Sequence, residues 1–424
     1  MGMASSVMAL VVGSEARILY NKEGRESTPS VVSLKRKDGS VLVGDLALDN
    51  RAMAPKDTIY SIIRIIGRHF SDEEVQKVRN EAQYEVVETE DGVCVVMGDK
   101  QYAPAQISAM ILKKLREDAE YRLAEEVTDA VITVPAYFNR AQKDATRRAG
   151  QEAGLKILKV MDEPEALAIA HGMDNIKADA ARYILVYDLG KYRFDASVLM
   201  RVGKGFVPIA LSGNVWLGGD TFDAVIVDHV LRYIKREYAV DPQSNLPFMH
   251  MLYQEARAAK ERLSSTSETD IILAGGLTDE NGSIVDIQME ITRSEFEALI
   301  RHIMEKTIGT IDELLNDAGV SPDDIGCVIM AGKSTCVPLV QLEVARKFGA
   351  ERVRLDISPQ LSVAKGAAQY AASLDGKVVC QAQVADDPYR ECGHHNSNYS
   401  TECERCGAAL GTEDFVDEDL DYKG

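Results

Sequence analysis

No uninterrupted apolar run in this chain approaches the roughly 20 residues that a membrane-spanning helix needs, so a helical membrane protein is not expected. Positive charge is also short: 48 Lys and Arg stand against 67 Asp and Glu, for a formal net charge of −19. A phosphate backbone is bound by cationic neutralisation, so nucleic acid is disfavoured as a main ligand. The opening "MGMASSVMALVVG" has no basic stretch ahead of its apolar residues and runs straight into strand-like sequence. It does not read as a secretory signal, and a cytoplasmic location is expected. Met1-Gly2 with Ser6 matches only the short pattern of a myristoylation site. Cysteine is sparse and uneven: Cys94, Cys327, Cys336 and Cys380 are scattered, while Cys392, Cys403 and Cys406 lie close together. Disulfide scaffolds are small and secreted, so metal binding is the better reading of that group.

A glycine is missing at one telling place. "VIMAGKSTCVP" (328–338) contains Gly332-Lys333-Ser334-Thr335, the tail of a P-loop, but the glycine required five positions earlier is Cys327. Val328, Ile329 and Met330 read as a buried strand where a P-loop needs a flexible turn, so the motif is excluded.

What is present is an α/β pattern. At 424 residues, 46% hydrophobic and 27% charged, the chain has globular composition and the length of two to four structural units. "DAVITVPAYF" (129–138), "YILVYDL" (183–189) and "CVIMAG" (327–332) are strand-like. Residues 137–155 and 248–265 carry small or apolar positions at helical spacing, and 291–319 reads as two helical stretches closing at Gly319, a C-cap glycine. Beyond Leu374 the periodicity stops. Residues 376–391 read as a linker, 392–411 as a compact Cys/His module and 412–424 as an acidic tail.

Six segments together carry a resemblance: "VITVPAYFNRAQKDATRRAGQEAGLKILKVMDEPEALAIAHG" (131–172), "YILVYDLGKYRFDASVL" (183–199), "LGGDTFDAVIVDHV" (217–230), "AKERLSS" (259–265), "ITRSEFEAL" (291–299) and "VIMAGKSTCVP". In this order they resemble the nucleotide-binding domain of the DnaK-type heat-shock chaperones, over roughly residues 5–375. The resemblance implies the actin-like ATPase fold, two lobes each of two subdomains. Lobe I would span 1–177 and lobe II 178–375, with ATP or ADP and Mg²⁺ held between them. It also implies a J-domain or nucleotide-exchange co-chaperone as a class of partner. "AGKST" would then be the adenosine-side loop.

Phosphoryl transfer to water needs backbone amides around the phosphates, carboxylates for Mg²⁺ and its waters, and a positioned cation or base. By resemblance, Glu163, Asp188 and Asp195 match the family's acidic residues around metal and water. Gly190 is what remains of one phosphate loop, Gly218 and Gly219 match the second-lobe phosphate loop, Lys260 and Ser264 flank the adenosine, and Gly332 and Ser334 match its loop. Other positions depart from the pattern. The strand and Asp-Leu-Gly loop expected ahead of "SSVMALVV" are reduced to Gly2, and the three-glycine-threonine loop reads Gly190-Lys191-Tyr192-Arg193. The family's lysine aligns with Ile63, the second glycine of the adenosine loop with Lys333 and the base-stacking arginine with Cys336. Losing a set of phosphate-loop amides or the lysine costs on the order of a hundredfold or more in rate. A degenerate ATPase is therefore expected. Lys191, Arg193 and Lys333 read as cations that neutralise the retained carboxylates, the alternatives being that all three point to solvent or that they hold a different anion.

The family's peptide-binding domain needs more chain than follows residue 375, so peptide clamping is not expected, and a regulatory or scaffold role is. An ATP/ADP sensor or a slow, divergent ATPase is the alternative. In the terminal module, Cys392, His395, Cys403 and Cys406 have C-x₂-H and C-x₂-C spacing for a zinc-ribbon-like Cys₃His site, with His394 as the alternative imidazole. So short and polar a segment folds only around its metal.

Overall fold

A computed structural model describes residues 2, 4–90, 92–173, 182–202, 205–214, 217–278, 283–356, 358–375, 377–379 and 395–397. The chain divides into two compact units. One comprises Met1–His171 together with Leu361–Gly424, the other Gly172–Gln360.

In the first unit the hairpin Met8–Val12/Glu15–Leu19 is followed by a three-stranded antiparallel sheet in the order Ser40–Val43, Val31–Lys35, Thr58–Tyr60. A second small sheet orders Lys100–Tyr102, Gly92–Met97 and Val86–Thr89. The 20-residue helix Pro104–Leu123 packs its Ile107, Ile111 and Leu115 into a core shared with Val32, Ile59 and Val95. The strand read at 129–138 spans Asp129–Val134. It pairs in parallel with Lys156–Asp162 through the crossover helix Arg140–Glu152, the long connection that parallel pairing demands. Asn139 caps that helix, its side chain accepting from the Gln142 N–H.

The helix Pro359–Asp375 returns, from Leu361 on, to the first unit, whereas the sequence had placed this stretch in the second lobe. Gly366 lies against the backbone of Ala166, closer than any side chain would allow. Lys159 pairs with Glu165 at 2.7 Å and lies 4.4 Å from the centre of the Tyr370 ring. Chain distance carried no sign of this return, because the Ala166–Gly366 and Lys159–Tyr370 contacts join positions some two hundred residues apart.

The second unit is built on a five-stranded sheet in the order Gly205–Asn214, Phe194–Val202, Tyr183–Leu189, Ile325–Ala331, Val353–Leu355. The first three strands are antiparallel neighbours and the last two run parallel to Tyr183–Leu189. Leu185, Tyr187, Leu189, Phe194 and Val198 share one core with the helices Gly219–Tyr238, Leu246–Leu263, Arg293–Ala318 and Pro338–Phe348. Two helical stretches were expected over 291–319. The structure has a single 26-residue helix, Arg293–Ala318, with Thr292 as N-cap and Gly319 as C-cap at φ 64°. Gly309 within it costs propensity without breaking the hydrogen-bond ladder.

The strands Lys377–Val379 and His395–Ser397 pair antiparallel. Cys392, Cys403 and Cys406 lie outside the described residues, as do the acidic tail and His394.

Candidate functional site

The retained site residues divide between the units, and most fall in the second. Tyr183–Leu189 and Phe194–Val202 form a hairpin in which Leu189 faces Phe194 and Asp188 faces Asp195. Gly190-Lys191-Tyr192-Arg193 is its turn, closed by the Gly190 N–H donating to the Arg193 carbonyl at 2.9 Å. Lys191 and Tyr192 are exposed, the Lys191 ammonium 4.7 Å from the Tyr192 ring centre. Arg193 turns back along the hairpin, with Nε 2.5 Å from Asp195 Oδ2.

Gly218 and Gly219 lead into the helix Gly219–Tyr238 and rest directly on that turn. The Gly219 N–H donates to the Gly190 carbonyl and the Asp220 N–H to the Lys191 carbonyl, both at 2.9 Å. A Cβ at Gly218 would strike the Lys191 carbonyl and come within 2.7 Å of the Arg193 nitrogen. One at Gly219 would strike the Ser334 hydroxyl. At Gly218 glycine is required by backbone approaching backbone, and at Gly219 by the side chains of Ser334 and Lys260.

The "GKST" segment is a strand end followed by one 3₁₀ turn, Lys333–Cys336. Asp188 lies beside Ala331 in the parallel pairing. Gly332 has φ 85°, and a Cβ there would strike the Leu189 carbonyl and lie 2.6 Å from Asp188 Oδ1. Both the left-handed conformation and the contact hold this position to glycine. Ser334 Oγ donates to the Gly190 carbonyl at 3.0 Å, tying the third segment to the same turn. Lys333 is exposed and Cys336 half-buried.

Lys260, on the helix Leu246–Leu263, is only 8% exposed. Its ammonium donates to the Gly219 carbonyl at 2.8 Å and pairs with Asp223 Oδ1 at 2.5 Å. Asp223 was not singled out in the sequence. Its signal was a carboxylate on the inner face of an amphipathic helix, between Phe222 and Ile226, where an unpaired charge is not tolerated. Burial pushes the carboxyl of Asp220 above its ordinary value, and the charge of Asp223 adds to this. Ser264 caps the Lys260 helix, its hydroxyl donating to the Lys260 carbonyl at 3.3 Å.

Among the described residues Arg193 forms an ion pair with Asp195, while Lys191 and Lys333 stand at the surface, the Lys191 charge acting on Asp220.

In the first unit Glu163 opens the helix Glu163–Ala170, half-buried, directly after the strand Lys156–Asp162. Ile63 lies in the 3₁₀ turn Ile62–Arg64 and is 3% exposed, packed in the apolar cluster with Ile59, Ile62 and Ile66. Gly2 contributes its carbonyl, which accepts from the Ser30 hydroxyl at 2.8 Å.

A family model described as "Hsp70 protein" matches residues 1–387. The chain belongs to the Hsp70 family, and it is a DnaK-like chaperone-family protein whose mixed α/β architecture fits the actin-like ATPase fold. ATP or ADP with Mg²⁺ is the ligand set of that family. Among the described residues no group of three or more His, Cys, Asp or Glu is placed to hold a metal ion, and no helix is long and apolar enough to cross a membrane.

Proposed function

We propose that this Hsp70-family chain is a degenerate ATPase that acts in the cytoplasm as a regulatory or scaffold protein. The observation that carries the reading is the seating of the Gly190–Arg193 turn on the helix Gly219–Tyr238. Amides at a helix N-terminus are a natural anion site, but those of Gly219 and Asp220 are already satisfied by the carbonyls of Gly190 and Lys191. Side chains at 191–193 replace the bare backbone that phosphate oxygens need, and the position of the family's lysine has become part of a hydrophobic core at Ile63. Glu163, Asp188 and Asp195 would remain as the carboxylates of the former catalytic set. Function would then lie in surfaces presented to a protein partner, a J-domain or nucleotide-exchange co-chaperone being the class the family offers.

Calorimetric titration of the full chain with ATP and with ADP, each with and without Mg²⁺, tests this. Absence of heat up to millimolar nucleotide is the expected result. Micromolar, Mg²⁺-dependent binding with turnover would overturn it.

The second reading is a nucleotide sensor. It is favoured by the adenosine-side residues, since Lys260, Ser264, Gly332 and Ser334 are present and ordered around Gly190 and Gly219. Binding heat without hydrolysis would select it.

For the terminal module we propose a structural zinc on Cys392, Cys403 and Cys406 with His395, or His394, as the imidazole. Three thiolates and one imidazole are a donor set that zinc takes in closed tetrahedral sites. About one zinc per purified chain, lost in Cys403→Ser/Cys406→Ser, is the expected metal analysis.

A further inference from the structure

Asp188 and Asp195 are directly opposed in an antiparallel pair, which places both side chains on the same face of the sheet. Like charges so placed repel, and a cation between or beside them removes the penalty. Such a cation is built into the same hairpin. Arg193 precedes Asp195 by two positions, the spacing that returns a side chain to the same face. Its Nε is 2.5 Å from Asp195 Oδ2, with only 16% of the arginine side chain and 24% of the aspartate side chain exposed.

The backbone that carries the guanidinium is fixed on several sides. The Arg193 carbonyl accepts from Gly190, the Gly190 carbonyl accepts from Gly219 and Ser334, and the Lys191 carbonyl accepts from Asp220. Gly213, on the neighbouring strand, leaves room for Asp195, since a Cβ there would lie 3.1 Å from Oδ1. A pre-positioned guanidinium loses little entropy on pairing and keeps its charge at any physiological pH.

We propose that Arg193 is a tethered counter-ion which occupies the electrostatic place of a divalent cation at the Asp188/Asp195 pair, so that the hairpin is held closed without metal. This rests on the degenerate-ATPase reading and deepens it. The fold would have exchanged a diffusible ion for a covalently attached one, and the exchange would keep the Gly190–Arg193 turn seated on the Gly219 helix. Removing the guanidinium should restore the repulsion within the pair and raise its affinity for a divalent cation such as Mg²⁺, Ca²⁺ or Mn²⁺, for which carboxylate oxygens are suited donors.

The test compares wild type, Arg193→Gln, Arg193→Lys and the double variant Arg193→Gln/Asp188→Asn as full chains without nucleotide. Mn²⁺ binding is followed by electron paramagnetic resonance, and thermal melting is measured with and without millimolar Ca²⁺. Wild type and Arg193→Lys should melt alike and be indifferent to Ca²⁺. Arg193→Gln should melt lower, recover with Ca²⁺, and bind one additional Mn²⁺ about tenfold or more tightly than wild type does at this pair, the gain vanishing in the double variant. An Arg193→Gln variant that melts like wild type and gains no Mn²⁺ overturns the proposal, as does a gain that survives Asp188→Asn. Nucleotide titration of the wild type is read separately. Nucleotide binding by the wild type would overturn the degenerate-ATPase reading whatever Arg193→Gln does, and a failed Mn²⁺ gain in a nucleotide-blind wild type would overturn only the counter-ion.

Discussion

Lys260 and Asp223, on different helices, form an ion pair with both partners at least nine-tenths buried and with Nζ and Oδ1 2.5 Å apart. The same ammonium donates to the Gly219 carbonyl, so a single side chain ties the helix Leu246–Leu263 to the start of the helix Gly219–Tyr238. Removing one member leaves the other charged and buried, which costs about 3–5 kcal/mol, whereas replacing both with apolar groups of similar size is far milder. Lys260→Met and Asp223→Leu should each lower the urea midpoint strongly, and the double variant should recover most of the loss. A double variant as unstable as the sum of the singles would show that the two charges do not act as a pair.

Ile63 is a core residue in this chain. Ile63→Ala should cost about 2–4 kcal/mol through lost burial and the cavity left behind. Reinstating the family's residue with Ile63→Lys should destabilise at least as much, since it places an ammonium in an apolar cluster, and should bring no ATP hydrolysis. Chemical denaturation and a sensitive phosphate-release assay check both halves.

Two glycines should respond in opposite directions to the same methyl group. Gly218→Ala drives a Cβ into the Lys191 carbonyl and the Arg193 nitrogen, so both the turn and the helix entry must shift, and thermal stability should fall. Gly309→Ala falls inside the helix Arg293–Ala318 with nothing within 4 Å of the new Cβ, and should stabilise by about 0.5–1 kcal/mol. Melting curves of the two variants under identical conditions decide the matter.

Asp57 provides a pH test within the first unit. The Arg36 guanidinium, hydrogen-bonded to it at 2.5 and 3.0 Å, holds its carboxyl below the ordinary value of 3.8, and the Gly98 N–H assists against the opposing effect of burial. A carboxyl lowered by folding stabilises above its unfolded value and loses that contribution as pH falls through the folded one. Asp57→Asn should therefore be less stable than wild type at neutral pH, and the difference should persist at pH 5 and close progressively below 3.8. A gap that stays constant down to pH 3 would assign the effect to packing alone.

Local pattern made much of the molecule legible in advance. Apolar runs such as "YILVYDL" and "CVIMAG" fixed central strands of the second unit, and helical spacing with Gly319 as terminator fixed the end of the helix Arg293–Ala318, because these signals act within a few residues. The failed P-loop was legible for the same reason. Departures at Lys191–Arg193, Ile63 and Lys333 were visible as residue types standing where bare backbone or a cation belongs.

Contacts between distant segments were decided only by the tertiary structure. That the Gly190 and Lys191 carbonyls satisfy the amides of Gly219 and Asp220, that Asp223 neutralises Lys260, and that the helix Pro359–Asp375 returns to the first unit all join positions whose spacing carries no periodic trace. Sequence determines which groups are available. Which donor meets which acceptor depends on how the sheet and helices bring their ends together, and that is settled only when the buried polar groups compete for partners in the folded chain.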